Sequence, residues 1–231
     1  MKPRSTPWRG CALLLALCTV ARAQATKPTG PERWEKDIAA FEAIDRKNPS
    51  PKQGILFVGS SSIRLWKTAD AFAGLPVINR GFGGSYISES VHFANRIVLP
   101  YEPKTIVFYA GENDVNAGKT PHRVAEDFKE FAGLVHQSLP QTHIVFISLK
   151  PSPSRFGKIE QFRLTNRLIR EFVATDSRLS FVDVEPAMLG AGGLPREELF
   201  VADKLHLNEA GYAIWNRMIS EKLAELGWKA R

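Results

Sequence analysis

The chain has 231 residues, 44% hydrophobic and 24% charged, a composition that suits one fairly large globular domain with a substantial core. Its formal charge of +7 is unevenly placed: Lys2, Arg4, Arg9 and Arg22 precede Ala23 with no acid among them, which leaves 27 bases against 24 acids, a net +3, from Ala23 onward. No basic block remains there, so the composition argues against nucleic acid as a partner.

Residues 1–23 read as a secretory signal. A basic start through Arg9 is followed by an apolar stretch from Cys11 to Ala21 and by small residues suited to cleavage after Ala23 or Ala25. The apolar stretch is about half of the roughly 20 residues that a spanning helix needs, so no stable membrane anchor is expected. Leu17 stands before Cys18 where a lipid attachment site would want a small residue. Both cysteines, Cys11 and Cys18, fall inside the removed segment, and the exported chain would carry neither disulfide nor thiol. A periplasmic or extracellular location is the expectation.

Residues 24–50 read as a polar tether and a helix that packs on the domain, because Pro31 suits a first turn and Trp34, Ile38 and Phe41 recur at helical spacing. From residue 51 to 231, short β-rich runs alternate with longer amphipathic ones. The runs Ile55–Val58, Val77–Asn79, Thr105–Ala110, His143–Leu149 and Leu179–Val184 predict five strands. Helices are predicted over Ile63–Ala73, Ser85–Val98, Pro121–Leu139, Ile159–Ala174 and Leu207–Leu226, and Ala187–Phe200 is the one long irregular stretch. Continuous apolar strands, each followed by a helix-length segment, are buried on both faces, which predicts an α/β fold with a five-stranded parallel sheet between helical layers. Ligands of such sheets bind outside the carboxyl ends of the strands, where strand order reverses.

Four polar motifs lie just past strand ends or in the last loop. Gly59-Ser60-Ser61-Ser62 either caps a helix or exposes one serine on a sharp strand-to-helix turn, beside backbone N–H groups able to receive negative charge. Asn79-Arg80-Gly81-Phe82-Gly83-Gly84 lacks the third glycine of a dinucleotide fingerprint, since Tyr86 takes that place, so no nicotinamide cofactor is expected. Gly84 would instead let a carbonyl oxygen approach its N–H. In Gly111-Glu112-Asn113-Asp114, the Asn113 amide is either a turn former or an oxyanion donor. Asp203-Lys204-Leu205-His206, in a loop expected beside the sheet's edge, could be a cap, a surface pair or two metal ligands. His92, His122, His136 and His143 offer no companion spacing, so a metal site is not expected. Together, Asp203 and His206 could instead activate a serine, whose hydroxyl is inert until a base takes its proton. Trp66 and Trp215 are read as core residues.

These four blocks, in this order, resemble those of the SGNH hydrolases, also called GDSL esterases and lipases, whose fold is a flavodoxin-like three-layer α/β/α sandwich. The resemblance implies Ser61 as nucleophile, His206 as base and Asp203 as its orienting acid, with an oxyanion hole made by the N–H groups of Ser61 and Gly84 and the amide of Asn113. It implies no cofactor. One departure is Ser60, where the family usually has Asp. The Gly-x-Ser-x-Gly elbow of the larger α/β-hydrolases is absent from the sequence. The resemblance implies an exported serine esterase acting on short-chain acyl or acetyl esters of small molecules or glycans. Its rivals are a lipase or lysophospholipase with the same machinery and a non-catalytic carbohydrate-binding protein. Oligomeric state has no signature in the sequence.

Overall fold

The structure is a computed structural model that describes residues 30–230. The expected export signal and the start of the tether lie outside the described residues. A 3-10 turn at Pro31–Trp34 opens into α1 (Glu35–Lys47). Strand β1 (Ile55–Gly59) is followed by α2 (Ser61–Arg64) and α3 (Thr68–Ala71), and β2 (Val77–Gly81) by α4 (Ile87–His92) and α5 (Ala94–Ile97). Next come β3 (Thr105–Tyr109), α6 (Glu112–Asn116) and α7 (Pro121–Ser138), then β4 (His143–Ile147) and α8 (Ile159–Val173). The described chain closes with β5 (Leu179–Val182), α9 (Glu185–Met188) and α10 (Glu209–Glu225).

The five strands are parallel, as the alternation of apolar runs and helices predicts, and they lie in the order β2-β1-β3-β4-β5. Successive side chains of a strand point to opposite faces, and the two cores follow that period. Leu56, Val58, Ile106, Phe108, Ile144 and Phe146 join the layer of α7 and α8, where Phe128, Phe131, Phe162 and Ile169 are fully buried. Ile55, Phe57, Val107, Tyr109, Val145 and Ile147 face the other way onto Trp66 and onto Trp215, Ile219 and Leu223 of α10. Trp66 and Trp215 meet edge to face, with ring centroids 5.4 Å apart, as core residues.

Two predicted helices are interrupted. Ile63–Ala73 is split into α2 and α3, because the Asn79 amide of β2 donates to the carbonyls of Ile63 (2.7 Å) and Trp66 (3.1 Å), which a continuous helix would have used itself. Ser85–Val98 is split at Phe93, where the backbone leaves helical geometry and the ring is buried against Phe82.

From β1 the chain adds β2 on one side and then returns to place β3 on the other, so strand order reverses between β1 and β3. That crevice is where a ligand site is expected in an open parallel sheet.

Candidate active site

The turn after β1 is built on a glycine. At Gly59 φ is +143°, and a Cβ there would lie 1.9 Å from the Tyr109 carbonyl of β3. Only glycine fits so close an approach, and the next N–H, that of Ser60, donates to the same carbonyl at 2.9 Å. The Ser60 carbonyl then accepts from the N–H groups of Ile63 and Arg64, both at 3.0 Å, which starts α2. Ser60 and Ser62 are turned inward, 3% and 2% exposed, whereas Ser61 reaches the crevice.

The loop before α10 brings the last block to Ser61 across 145 residues of sequence. Nδ1–H of His206 donates to Asp203 Oδ2 (2.6 Å), which leaves Nε2 to accept from the Ser61 hydroxyl at 2.9 Å. Asp203 Oδ1 accepts the backbone N–H groups of Leu205 (2.8 Å) and His206 (2.9 Å). Partial burial opposes the charge of Asp203, but those N–H groups and the imidazole outweigh it and pull its carboxyl down to about 2. The loop is pinned at its base, where Asn208 accepts the Gly211 N–H as the cap of α10 and donates to the carbonyls of Glu198 and Phe200. The sequence places this loop next to the sheet's edge; instead it lies over the end of β1, which has a strand on either side.

Donors converge on the same cleft, a space of about 410 Å³ lined by Ser61, Gly84, Asn113 and His206. Gly84 has φ +81°, a left-handed conformation. Among the described residues, neither its N–H nor that of Ser61 donates to another backbone or side-chain group. Asn113 spends one amide hydrogen on the Ser85 carbonyl (3.2 Å) and accepts from Arg155 at Oδ1 (3.0 Å), so the second amide hydrogen is unused. The structure thus gathers Ser61, Gly84, Asn113, Asp203 and His206 in one place. Such a constellation can move a proton from a hydroxyl and hold a developing oxyanion.

Other residues at the site escape the sequence reading. Trp34 and Asp37, from the N-terminal segment, and Arg155 complete the cleft wall. Below it, Glu112 is buried and accepts from Lys150 (2.5 Å), Tyr109 (2.7 Å) and Ser152 (2.8 Å). Burial raises the cost of charge on Glu112, but Lys150 and Arg155 overcome it and keep the carboxyl below its ordinary range. Burial pushes the Lys150 ammonium down and, with Glu112 beside it, the Tyr109 phenol well up. A lysine directly after the apolar run of β4 was the signal available in the sequence, since an unpaired buried cation is too costly to keep. On the far side of His206 opens a larger cavity of about 670 Å³, whose walls include Leu65, Trp66, Ala71, Val201, Leu207 and Tyr212.

Among the described residues no group of three His, Cys, Asp or Glu side chains is placed to hold a metal ion. His136 and His143 are engaged with the Thr142 carbonyl and the Ser180 hydroxyl. None of the described helices is long and apolar enough to cross a membrane.

Comparison with known proteins gives a consistent result. Residues 62–214 match the family model described as GDSL-like lipase/acylhydrolase. A sequence comparison with curated proteins finds no match. Among solved structures, a Streptococcus pneumoniae protein superposes with a TM-score of 0.75 at 19% identity, covering 83% of this chain and 93% of its own. A GDSL-like lipase from Bacteroides thetaiotaomicron gives 0.67 at 17% identity over 85% and 98% of the two chains. A carbohydrate esterase family 3 protein from Talaromyces cellulolyticus gives 0.60 at 18% identity over 74% and 96%.

Proposed function

Because the chain belongs to the GDSL-like lipase/acylhydrolase family and is therefore a hydrolase, we propose that it is an exported serine esterase that removes short acyl groups, acetyl among them, from small alcohols or glycans. The observation that carries this reading is the hydrogen-bonded sequence Asp203–His206–Ser61 opening into a cleft with unused N–H donors. Ser61 Oγ attacks the ester carbonyl carbon as His206 Nε2 takes the hydroxyl proton. The carbonyl oxygen becomes an oxyanion held by the N–H groups of Ser61 and Gly84 and by Asn113, each such donor contributing about 3–4 kcal/mol to transition-state stabilisation. His206 then gives its proton to the leaving alcohol oxygen, and the acyl group stays on Ser61. Water, activated by the same imidazole, releases the acid and restores the serine. Asp203 holds the imidazole in the required tautomer and stabilises the imidazolium.

The fold shared with a carbohydrate esterase supports a sugar-borne acyl group. The larger, mostly apolar cavity beside His206 favours a second reading, a lipase or lysophospholipase acting on a bulkier apolar substrate. An ester series of increasing chain length separates the two, because each buried methylene adds about 0.8 kcal/mol in favour of the longer substrate. Export is part of the proposal and rests on residues 1–23; a full-length chain that stays in the cytoplasm on cell fractionation refutes it.

The test is hydrolysis of an activated acetate ester by the domain lacking residues 1–23 and by its Ser61→Ala variant. Wild-type turnover with a loss of at least about a thousandfold in the variant is expected; equal rates remove Ser61 from its role. A wild type that neither turns over esters nor is labelled by a serine-directed phosphonate, yet binds glycans, identifies a binding protein instead.

A further inference from the structure

Resting on the esterase reading, we infer that Arg155 is a positioning residue that fixes which face of the Asn113 amide meets the oxyanion. A carboxamide carries a donor and an acceptor on nearly equal shapes, so rotating it by half a turn replaces stabilisation of an oxyanion by repulsion. Two neighbours decide the orientation here. Arg155 Nη2 donates to Asn113 Oδ1 at 3.0 Å, and the Ser85 carbonyl accepts from Nδ2 at 3.2 Å. Were the amide turned over, donor would face donor at Arg155 and acceptor would face acceptor at Ser85. The Ser85 bond is long and joins neutral groups, whereas the Arg155 bond is charge-assisted and the stronger of the two.

The guanidinium is itself held in place. Its Nη1 lies 3.5 Å from Oε1 of Glu112, the residue before Asn113, so the fork spans two consecutive side chains of α6. Glu112 is only 4% exposed and is fixed by Lys150, Tyr109 and Ser152, which gives Arg155 an immobile anchor. A planar fork suits this double contact better than a lysine's point charge. The 3-10 turn Pro153–Lys158 that carries Arg155 is also tied to the histidine loop, since the Ser154 N–H donates to the Lys204 carbonyl at 3.0 Å. The buried carboxylate thus holds the arginine, and the arginine holds the amide.

The experiment is a double-mutant cycle of Arg155→Met and Asn113→Ala, with kcat expressed per serine titrated by a phosphonate and Tm measured alongside. Losing an oxyanion donor outright costs about 100- to 1000-fold in kcat, and leaving it present but unoriented costs less. Arg155→Met is expected to lower kcat about 10- to 100-fold with KM nearly unchanged, and to have less than about a threefold effect when Asn113 is already alanine. A structural role alone would lower Tm and the titratable fraction, and would act alike in both backgrounds. Unchanged kcat in Arg155→Met, or the same factor in both backgrounds, overturns the inference while leaving the esterase reading intact. A wild type without esterase activity overturns that reading and the inference with it. If Arg155→Met does not fold, Arg155→Lys, which keeps a cation beside Glu112 but loses the fork, is expected to lower kcat about 3- to 10-fold with the effect gone when Asn113 is alanine, and unchanged kcat or the same factor in both backgrounds overturns the inference.

Discussion

At the scale of single residues, the acid limb of the proposed reaction follows from how Asp203 is held. With its carboxyl near 2 in the folded chain, it remains ionised far below the pH at which most enzymes work, so its own titration does not limit activity there. Replacement by Asn keeps the shape but favours the wrong imidazole tautomer, and a loss of about 10³- to 10⁴-fold in kcat is expected. Because the folded carboxyl lies below its ordinary value of 3.8, Asp203 adds stability above that pH and loses it as pH falls toward 2. The Tm difference between wild type and Asp203→Asn should shrink over that interval; a gap that widens on acidification contradicts the assignment. The side chain is 47% exposed, so solvent keeps this contribution modest. The meeting of Ser61 with Asp203 and His206 was readable because chemistry-bearing residues past a strand end and in the last loop, in a known order, carry joint information. Arg155 was not, since an arginine in a proline-containing loop has no local mark that says what it will touch.

At the scale of elements, the strands were legible and the short helices were not. A strand buried on both faces shows in the sequence as an uninterrupted apolar run. The break between α2 and α3 is imposed by Asn79, a residue of a neighbouring strand, and no periodicity within Ile63–Ala73 encodes it. The docking of α1 is equally non-local. Arg80 of β2, only 8% exposed, donates to Asp45 of α1 (2.5 Å), to the Tyr101 hydroxyl (2.6 Å) and to the Asn79 carbonyl (2.9 Å). Arg96 grips the same helix through Glu35 and Glu42. Arg80→Met removes the cation beside Asp45, which keeps the Tyr101 and Ser50 hydroxyls as donors, and should destabilise the protein by about 2 kcal/mol in urea unfolding. Since Trp34 and Asp37 line the cleft, the variant should also raise KM; an unchanged KM would mean that this wall does not meet substrate.

For the molecule as a whole, the strand order β2-β1-β3-β4-β5 decides where chemistry can occur. Apolar strands alternating with helix-length segments specify a parallel sheet between helical layers, which is why the architecture could be read in advance. Which loop crosses the rim could not, because it depends on how Asn208 and its carbonyl partners seat the last segment. The exposed stretch Gly190–Leu194 separates the five strands and Ser61 from Asp203, His206 and α10. Severed at Gly192, the protein becomes two fragments, one holding the proposed nucleophile Ser61 and the other the proposed proton acceptor His206, and neither should turn over ester alone. Trp215, Ile219 and Leu223, at most 1% exposed, supply the apolar surface for reassociation, so activity should appear on mixing and saturate at equimolar amounts. Such a pair would report its own assembly by the product it makes.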